Sequence, residues 1–245
     1  MASPVILDSN THGDIRVNTN RGAEFGENIH MVPVIAEELP RLVLDYPVCL
    51  IKDPETGQFE LQALLGFEPG ENLFLTGNRW EATYVPMHLR RQPFMVGIAG
   101  EDGAEPTPEN TIITIDMESA RVGDTEGERL FDENGAPTPY LQSISNLLGG
   151  LLPGIKSTEA FIKALADDDL IEPANFNAGF VNGENRHFEG LYTVSDDKLR
   201  KLDDDKMKRM HDRGYLQASY LLLASFGQVQ RLINLKNARL VGTAG

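Results

Sequence analysis

His12-Gly-Asp14 has the spacing of two ligands in a two-His-one-carboxylate iron site, to which His88, His187 or His211 could formally add the third. In oxygenases such a triplet rides on a barrel strand. Here it lies near a polar N-terminus with no strand before it, which favours a capping or solvated role over a metal. His30 sits among Ile29, Met31 and Val32 and reads as a sheet histidine, and His88 stands beside Arg90 and Arg91, whose charges oppose a cation. An iron-dependent modifying enzyme built on His12 and Asp14 is the concrete catalytic alternative; otherwise no metal and no cofactor are expected.

Hydrolytic signatures are missing. The sequence holds no G-x-S-x-G elbow, H-E-x-x-H or S-x-x-K, and its single cysteine, Cys49, lies between apolar neighbours that predict a buried, inert thiol. Ser219 and Ser225 fall on an expected helix, where they read as packing serines bonded back to the preceding turn. Phosphate cradles of the G-x-G-x-x-G or Walker type are also absent. Acidic runs such as Asp167-Asp-Asp169 and Asp203-Asp-Asp205 read as solvated helix ends.

The densest concentration of recognition-type residues is Asn78-Arg-Trp80-Glu-Ala-Thr-Tyr84-Val-Pro86-Met-His-Leu-Arg90-Arg91-Gln-Pro93-Phe94. Neighbouring arginines on a helical turn point about 100° apart. Arg90 and Arg91 therefore cannot easily share a partner: one is expected to pair with a buried carboxylate and the other to meet solvent or an anion. Trp80, Tyr84, Arg90 and Arg91 are the candidate binding residues, weighed against a purely structural role for the aromatics and ion pairing for the arginines.

Several short elements must position this segment. Pro40 and Pro47 bracket a helix of about two turns. Val48–Ile51 and Phe59–Leu65 flank Asp53-Pro-Glu-Thr-Gly57, which carries turn chemistry and predicts a hairpin, with Leu73–Leu75 as a third strand. Pro86 opens a helical turn that Pro93 ends, and Phe94–Ile98 and Thr111–Ile115 return to strand composition around an acidic loop over 100–110. Further on, a helix from Tyr140 is expected to stop at Gly149-Gly150 and Pro153-Gly154, and another to restart after Ser157. Asn182-Gly183 predicts a second hairpin between 178–181 and 187–194. Asp203–Asp205 opens a helix closed by Gly214, and a long apolar helix from Leu216 to Leu235 should lie on the sheet.

Short connections make the sheet antiparallel. The expected class is therefore α+β: a mainly antiparallel sheet with short helices and a helical C-terminal part packed on it, in one domain spanning 1–245 with a sheet-rich part (9–135) and a helix-rich part (136–245).

The chain has 245 residues, with 22 Lys+Arg against 37 Asp+Glu for a net charge of −15, which argues against nucleic-acid binding. No apolar run approaches the roughly 20 residues of a membrane span, and the first eight residues have no basic region or long apolar core. A soluble protein in the cytoplasm is expected.

The Trp80-to-Phe94 segment resembles the SapC family, named for a protein associated with bacterial surface-layer export. Its hallmark is a Trp, a Tyr-hydrophobic-Pro and an Arg-Arg-x-Pro-Phe, here Trp80, Tyr84-Val85-Pro86 and Arg90-Arg91-Gln92-Pro93-Phe94. His12-Gly-Asp-Ile-Arg16, Tyr46-Pro47, Leu64-Leu-Gly66, Glu71-Asn-Leu-Phe74, Leu130-Phe-Asp-Glu-Asn-Gly135, Ser225-Phe-Gly227 and Arg231-Leu232 follow the family in order, so the resemblance covers about residues 9 to 235. Gln92 departs from an aromatic, and Phe226-Gly227 from Leu-Gly. Family members are encoded near outer-membrane uptake receptors, flavin-dependent tryptophan-halogenase-like proteins and cupin-like oxygenases. The resemblance therefore implies a non-catalytic accessory or binding protein of a surface or nutrient-acquisition system in Gram-negative bacteria, with a protein partner from such a system. A structural homo-oligomer, with Trp80 and Tyr84 buried between subunits, is the third reading.

Overall fold

A computed structural model describes residues 4–98 and 111–242, so the whole of the acidic 100–110 loop lies outside the described residues. The contacts divide the chain into two compact units. The first comprises Met1–Glu27, Gly77–Arg79 and Met87–Pro153; the second comprises Asn28–Thr76, Trp80–Pro86 and Gly154–Gly245. Both units are discontinuous in sequence. The elements are mixed helix and antiparallel strand, the α+β class expected from the sequence.

In the first unit Thr111–Asp116 is the central strand of three, paired antiparallel with Pro4–Ile6 on one side and Phe94–Ile98 on the other. Arg16–Val17 lies between Val122–Gly123 and Glu128–Arg129 in a second small sheet. The core joins Val17, Phe94, Ile115, Leu130 and Phe131 to Leu141, Ile144, Leu147 and Leu148. Those four helical residues recur at the three- and four-residue intervals that place side chains on one face.

The second unit is built on a five-stranded sheet in the order Ile171–Pro173, Leu191–Val194, Val48–Lys52, Phe59–Leu64, Met31–Pro33. The expected hairpin between 48 and 65 is present. Asp53 Oδ1 accepts from the amides of Glu55 and Thr56, both at 2.8 Å, and Gly57 takes a φ of 72°, open to glycine without strain. Val48, Cys49 and Leu50 are fully buried, as a strand with neighbours on both sides and a helix across it requires. Both edge strands carry a proline, Pro33 and Pro173, which withholds a donor from any further strand. The helix Tyr215–Ser225 packs on Val48–Lys52 and Leu191–Val194. Ser225 Oγ there accepts the Val48 amide at 3.0 Å and reaches back to the Leu222 carbonyl at 2.6 Å, while Ser219 Oγ donates to the Tyr215 carbonyl at 2.8 Å.

Local signals are overridden in several places. Gly149, Gly150, Pro153 and Gly154 do not stop a helix, since Pro139–Asp167 is continuous through them. Three glycines and a proline disfavour the helix by roughly 6 kcal/mol, but burying Leu141, Ile144, Leu148, Leu151, Phe161 and Leu165 returns roughly 1.5–3 kcal/mol each. Gly154 has its own reason to be glycine: a Cβ there would lie 2.4 Å from Ile35 Cδ1. Ser157 consequently caps nothing and donates to Glu37 Oε1.

The expected two-turn helix is only one α-turn, Leu39–Leu42, with Pro40 inside its first turn and the 3₁₀ turn Ala36–Glu38 before it. The third strand is Leu75–Thr76, paired with Arg79–Trp80. The Asn182-Gly183 hairpin joins Phe176–Gly179 to Asn185–Phe188, and Gly190, at φ 79°, separates it from Leu191–Val194 in the main sheet. The last helix breaks at the 3₁₀ turn Phe226–Gln228 and resumes over Val229–Gly242. Asp203 caps Asp204–Asp212 as expected, accepting the Lys206 amide at 2.8 Å. Asp168, read as solvated, instead has a side chain only 8% exposed and bonds Lys206 at 2.9 Å and Arg209 at 2.8 Å.

Candidate functional site

The Trp80-to-Phe94 segment is shared between the two units: Trp80 and Tyr84 fall in the second, Arg90 and Arg91 in the first.

In the second unit the aromatic residues join a polar cluster on the turn that follows Leu39–Leu42. Tyr46 is fully buried; its hydroxyl accepts Trp80 Nε1–H at 2.7 Å and donates to the Tyr84 carbonyl. Burial pushes the Tyr46 phenol far above its ordinary value, so it stays a donor. Tyr84 Oη donates to Glu38 Oε1 at 2.9 Å, while Glu38 Oε2 takes the Ile35 amide at 3.0 Å. Asp45, 2% exposed, accepts from the Thr83 amide at 2.9 Å, from the Thr83 hydroxyl and from Arg231. Arg231 also reaches the Glu81 carbonyl at 3.3 Å, and the Arg41 guanidinium lies 5.3 Å from the centre of the Tyr84 ring. The arrangement clamps 80–84 onto 38–46 and onto the helix Val229–Gly242.

In the first unit the helical turn Met87–Arg90 splits the two arginines as their angular separation requires. Arg91 turns inward and donates to the Phe94 carbonyl at 2.9 Å, an acceptor of its own chain in place of the expected carboxylate. Burial there holds its guanidinium below the ordinary value and, with the Arg91 charge adding to it, pushes the His88 imidazole down to about 4. Arg90 is exposed and lines a cavity of about 190 Å³ together with Arg21, Arg121, Gln92 and Tyr140.

Arg121 is the organising residue of that cavity. It is 3% exposed and is held by Glu27 Oε1 at 2.7 Å and by the carbonyls of Asn18 and Asn20 at 3.0 and 2.7 Å. The Phe25 ring centre lies 4.5 Å from its guanidinium carbon. Glu27, fully buried, is shared with Arg21 at 2.5 Å and with the Gly22 amide at 3.0 Å. After all these bonds Arg121 Nε, itself buried, has no acceptor. A buried donor in that condition costs about 1–3 kcal/mol, a cost a protein tolerates where a water or ligand completes the site.

His12 and Asp14 stand in different surroundings. His12 is 6% exposed, with Nδ1 3.1 Å from the Asp8 amide nitrogen, whereas the Asp14 carboxylate is fully exposed, 3.7 Å from Arg129. Among the described residues no three His, Cys, Asp or Glu side chains are placed to hold a metal ion. Cys49 is buried without a disulfide partner, and burial pushes its thiol up to about 12, which keeps it from acting as a nucleophile near neutral pH.

The sequence singles out Trp80, Tyr84, Arg90 and Arg91 as candidates; it does not single out the residues the structure places with them, Tyr46, Asp45 and Arg231 in one unit and Arg21, Glu27, Arg121 and Tyr140 in the other. One signal was present: Arg121 is the sole basic residue between Glu101 and Glu128.

The sequence pattern that defines the SapC family matches residues 7–232, nearly the whole chain. The chain belongs to the SapC family. No curated protein and no protein of solved structure shows a significant match to this SapC chain. No helix among its described residues is long and apolar enough to cross a membrane.

Proposed function

We propose that this SapC protein is a non-catalytic accessory protein of a bacterial surface or nutrient-acquisition system, acting in the cytoplasm on a protein partner encoded with it. One observation carries the reading: the segment richest in chemical side chains is engaged in holding the fold. Trp80 and Tyr84 have their polar atoms bonded to Tyr46 and Glu38, and Arg91 bonds the Phe94 carbonyl. Arg90 alone of the four stands exposed beside a cavity. Side chains arranged in this way support recognition; none is presented as an attacking group or as a base next to one.

The test is a binding measurement between the purified chain and the uptake-receptor and halogenase-like proteins encoded beside it. Micromolar or tighter association with one of them, weakened by Arg90→Glu, is the expected result. Turnover of a small molecule by the chain alone, or stoichiometric iron that disappears in His12→Ala, overturns the reading. Light scattering of the same samples shows whether self-association replaces a foreign partner.

A further inference from the structure

We propose that the arginine-lined cavity of the first unit binds a small organic carboxylate with an apolar body. This inference rests on the reading of the chain as a binding protein and names a ligand class for it.

Three properties of the cavity support it. The first is charge. In a chain of net −15, Arg21, Arg90 and Arg121 converge on one space of about 190 Å³, and among the described residues no acidic side chain lines it; Glu27, which bonds Arg21 and Arg121, lies outside the lining. Glu24 and Glu128 act on Arg121 and Tyr140 from outside the lining. An anion is the ligand such a lining selects.

The second is an incomplete hydrogen-bond set. Arg121 is fixed by Glu27, two carbonyls and the Phe25 ring, so it is ordered before any ligand arrives, and its buried Nε–H has no acceptor. Tyr140 supplies a hydroxyl that burial keeps protonated, its value pushed up to about 12. The Tyr140 hydroxyl and the guanidinium N–H groups of the lining are donors of the kind that both oxygens of a carboxylate accept from.

The third is size and polarity. Leu89, Ile144 and Leu147 form the remaining wall, and the volume is that of about six waters, enough for a benzoate-sized body and too small for a nucleotide.

The experiment is calorimetric titration of the full chain with sodium benzoate and sodium hexanoate, with inorganic phosphate as the comparison. One saturable site for a carboxylate is expected, weakened about tenfold, or about 1.4 kcal/mol, by Arg90→Gln and abolished by Ser143→Trp, which fills the cavity from an exposed position on the long helix. Arg121→Lys removes the planar guanidinium fork from the lining and should abolish binding as well. Should that variant fail to fold, Arg90→Gln and Ser143→Trp decide the matter alone. Absence of saturable binding at millimolar carboxylate, phosphate binding as tightly as carboxylate, or undiminished affinity in both deciding variants overturns the proposal. Partner association without carboxylate binding sinks the ligand and spares the accessory role; carboxylate binding without any partner does the reverse.

Discussion

The cluster around Tyr46 and the cavity around Arg121 are made from the same materials: aromatic rings, arginines and a buried carboxylate. They differ in whether their hydrogen bonds close within the chain. At Tyr46 the hydroxyl has both a donor and an acceptor, and Asp45 takes two bonds from Thr83 and one from Arg231. At Arg121, a residue that lines a cavity, one buried N–H is left without an acceptor. A closed set of this kind rigidifies a fold, whereas an open one with positive charge around it is a place for something else to bind. The conspicuous Trp80 and Tyr84 have their side-chain polar atoms bonded within the chain, and the less conspicuous arginines line the candidate ligand site.

The harshest way to probe this contrast is to remove the carboxylate from each region. Glu27→Ala leaves Arg21 and Arg121 without their shared, fully buried partner, and a loss of about 3–5 kcal/mol is expected. It should also destroy carboxylate binding, because Arg121 loses the bond that orients it. Asp45→Asn keeps the shape but forfeits the charge facing Arg231, whose side chain is 36% exposed, so water offsets part of the effect and about 2–3 kcal/mol is expected. Urea unfolding midpoints measure both. Carboxylate affinity should survive Asp45→Asn, a residue that does not line the cavity; if it falls there at unchanged stability, the contrast between scaffold and site is wrong.

Acid provides a milder probe. The folded His88 imidazole takes up its proton only at about 4, whereas an ordinary one does so near 6.5. The unfolded chain thus binds the proton first, and the His88 contribution is complete above about pH 6.5 and is lost as pH falls toward 4. With solvent screening of this partly buried group the loss should be about 1–2 kcal/mol. Glu68 and Asp168 in the second unit are held below their ordinary values, chiefly by hydrogen bonds from Lys236 and Lys206 respectively, so their protonation comes at lower pH. Between roughly pH 6 and 5, amide exchange should accelerate in residues 87–98 before it does in 48–64, and His88→Gln should abolish that order.

What the sequence disclosed and what it concealed divide along distance. The hairpin at 48–64, the cap at Asp203 and the back-bonding of Ser219 and Ser225 were legible, because each is decided by residues within a few positions of one another. The continuity of Pro139–Asp167 was not, since packing of apolar side chains overrode four local breakers. Nor were the two polar regions. Arg121 meets Glu27 across 94 residues and Arg231 meets Asp45 across 186, and no local spacing announces such pairs. The segment from Trp80 to Phe94 was recognisable as unusual, but its division between two units follows from tertiary contacts alone.

The gentlest test bears on the role of Tyr84 itself. Tyr84→Phe removes one hydroxyl from Glu38 Oε1 and leaves the ring in place near Arg41. Glu38 is 2% exposed, but its other oxygen keeps the Ile35 amide, so the charge remains hydrogen-bonded and the loss should be about 1 kcal/mol, the ordinary worth of one bond. A scaffold residue then shows a small fall in the urea midpoint with partner association unchanged. Were the midpoint to hold while partner association weakened, Tyr84 would be a contact residue whose bond to Glu38 merely orients it, and the recognition surface would have to extend from Arg90 to the aromatic side chains.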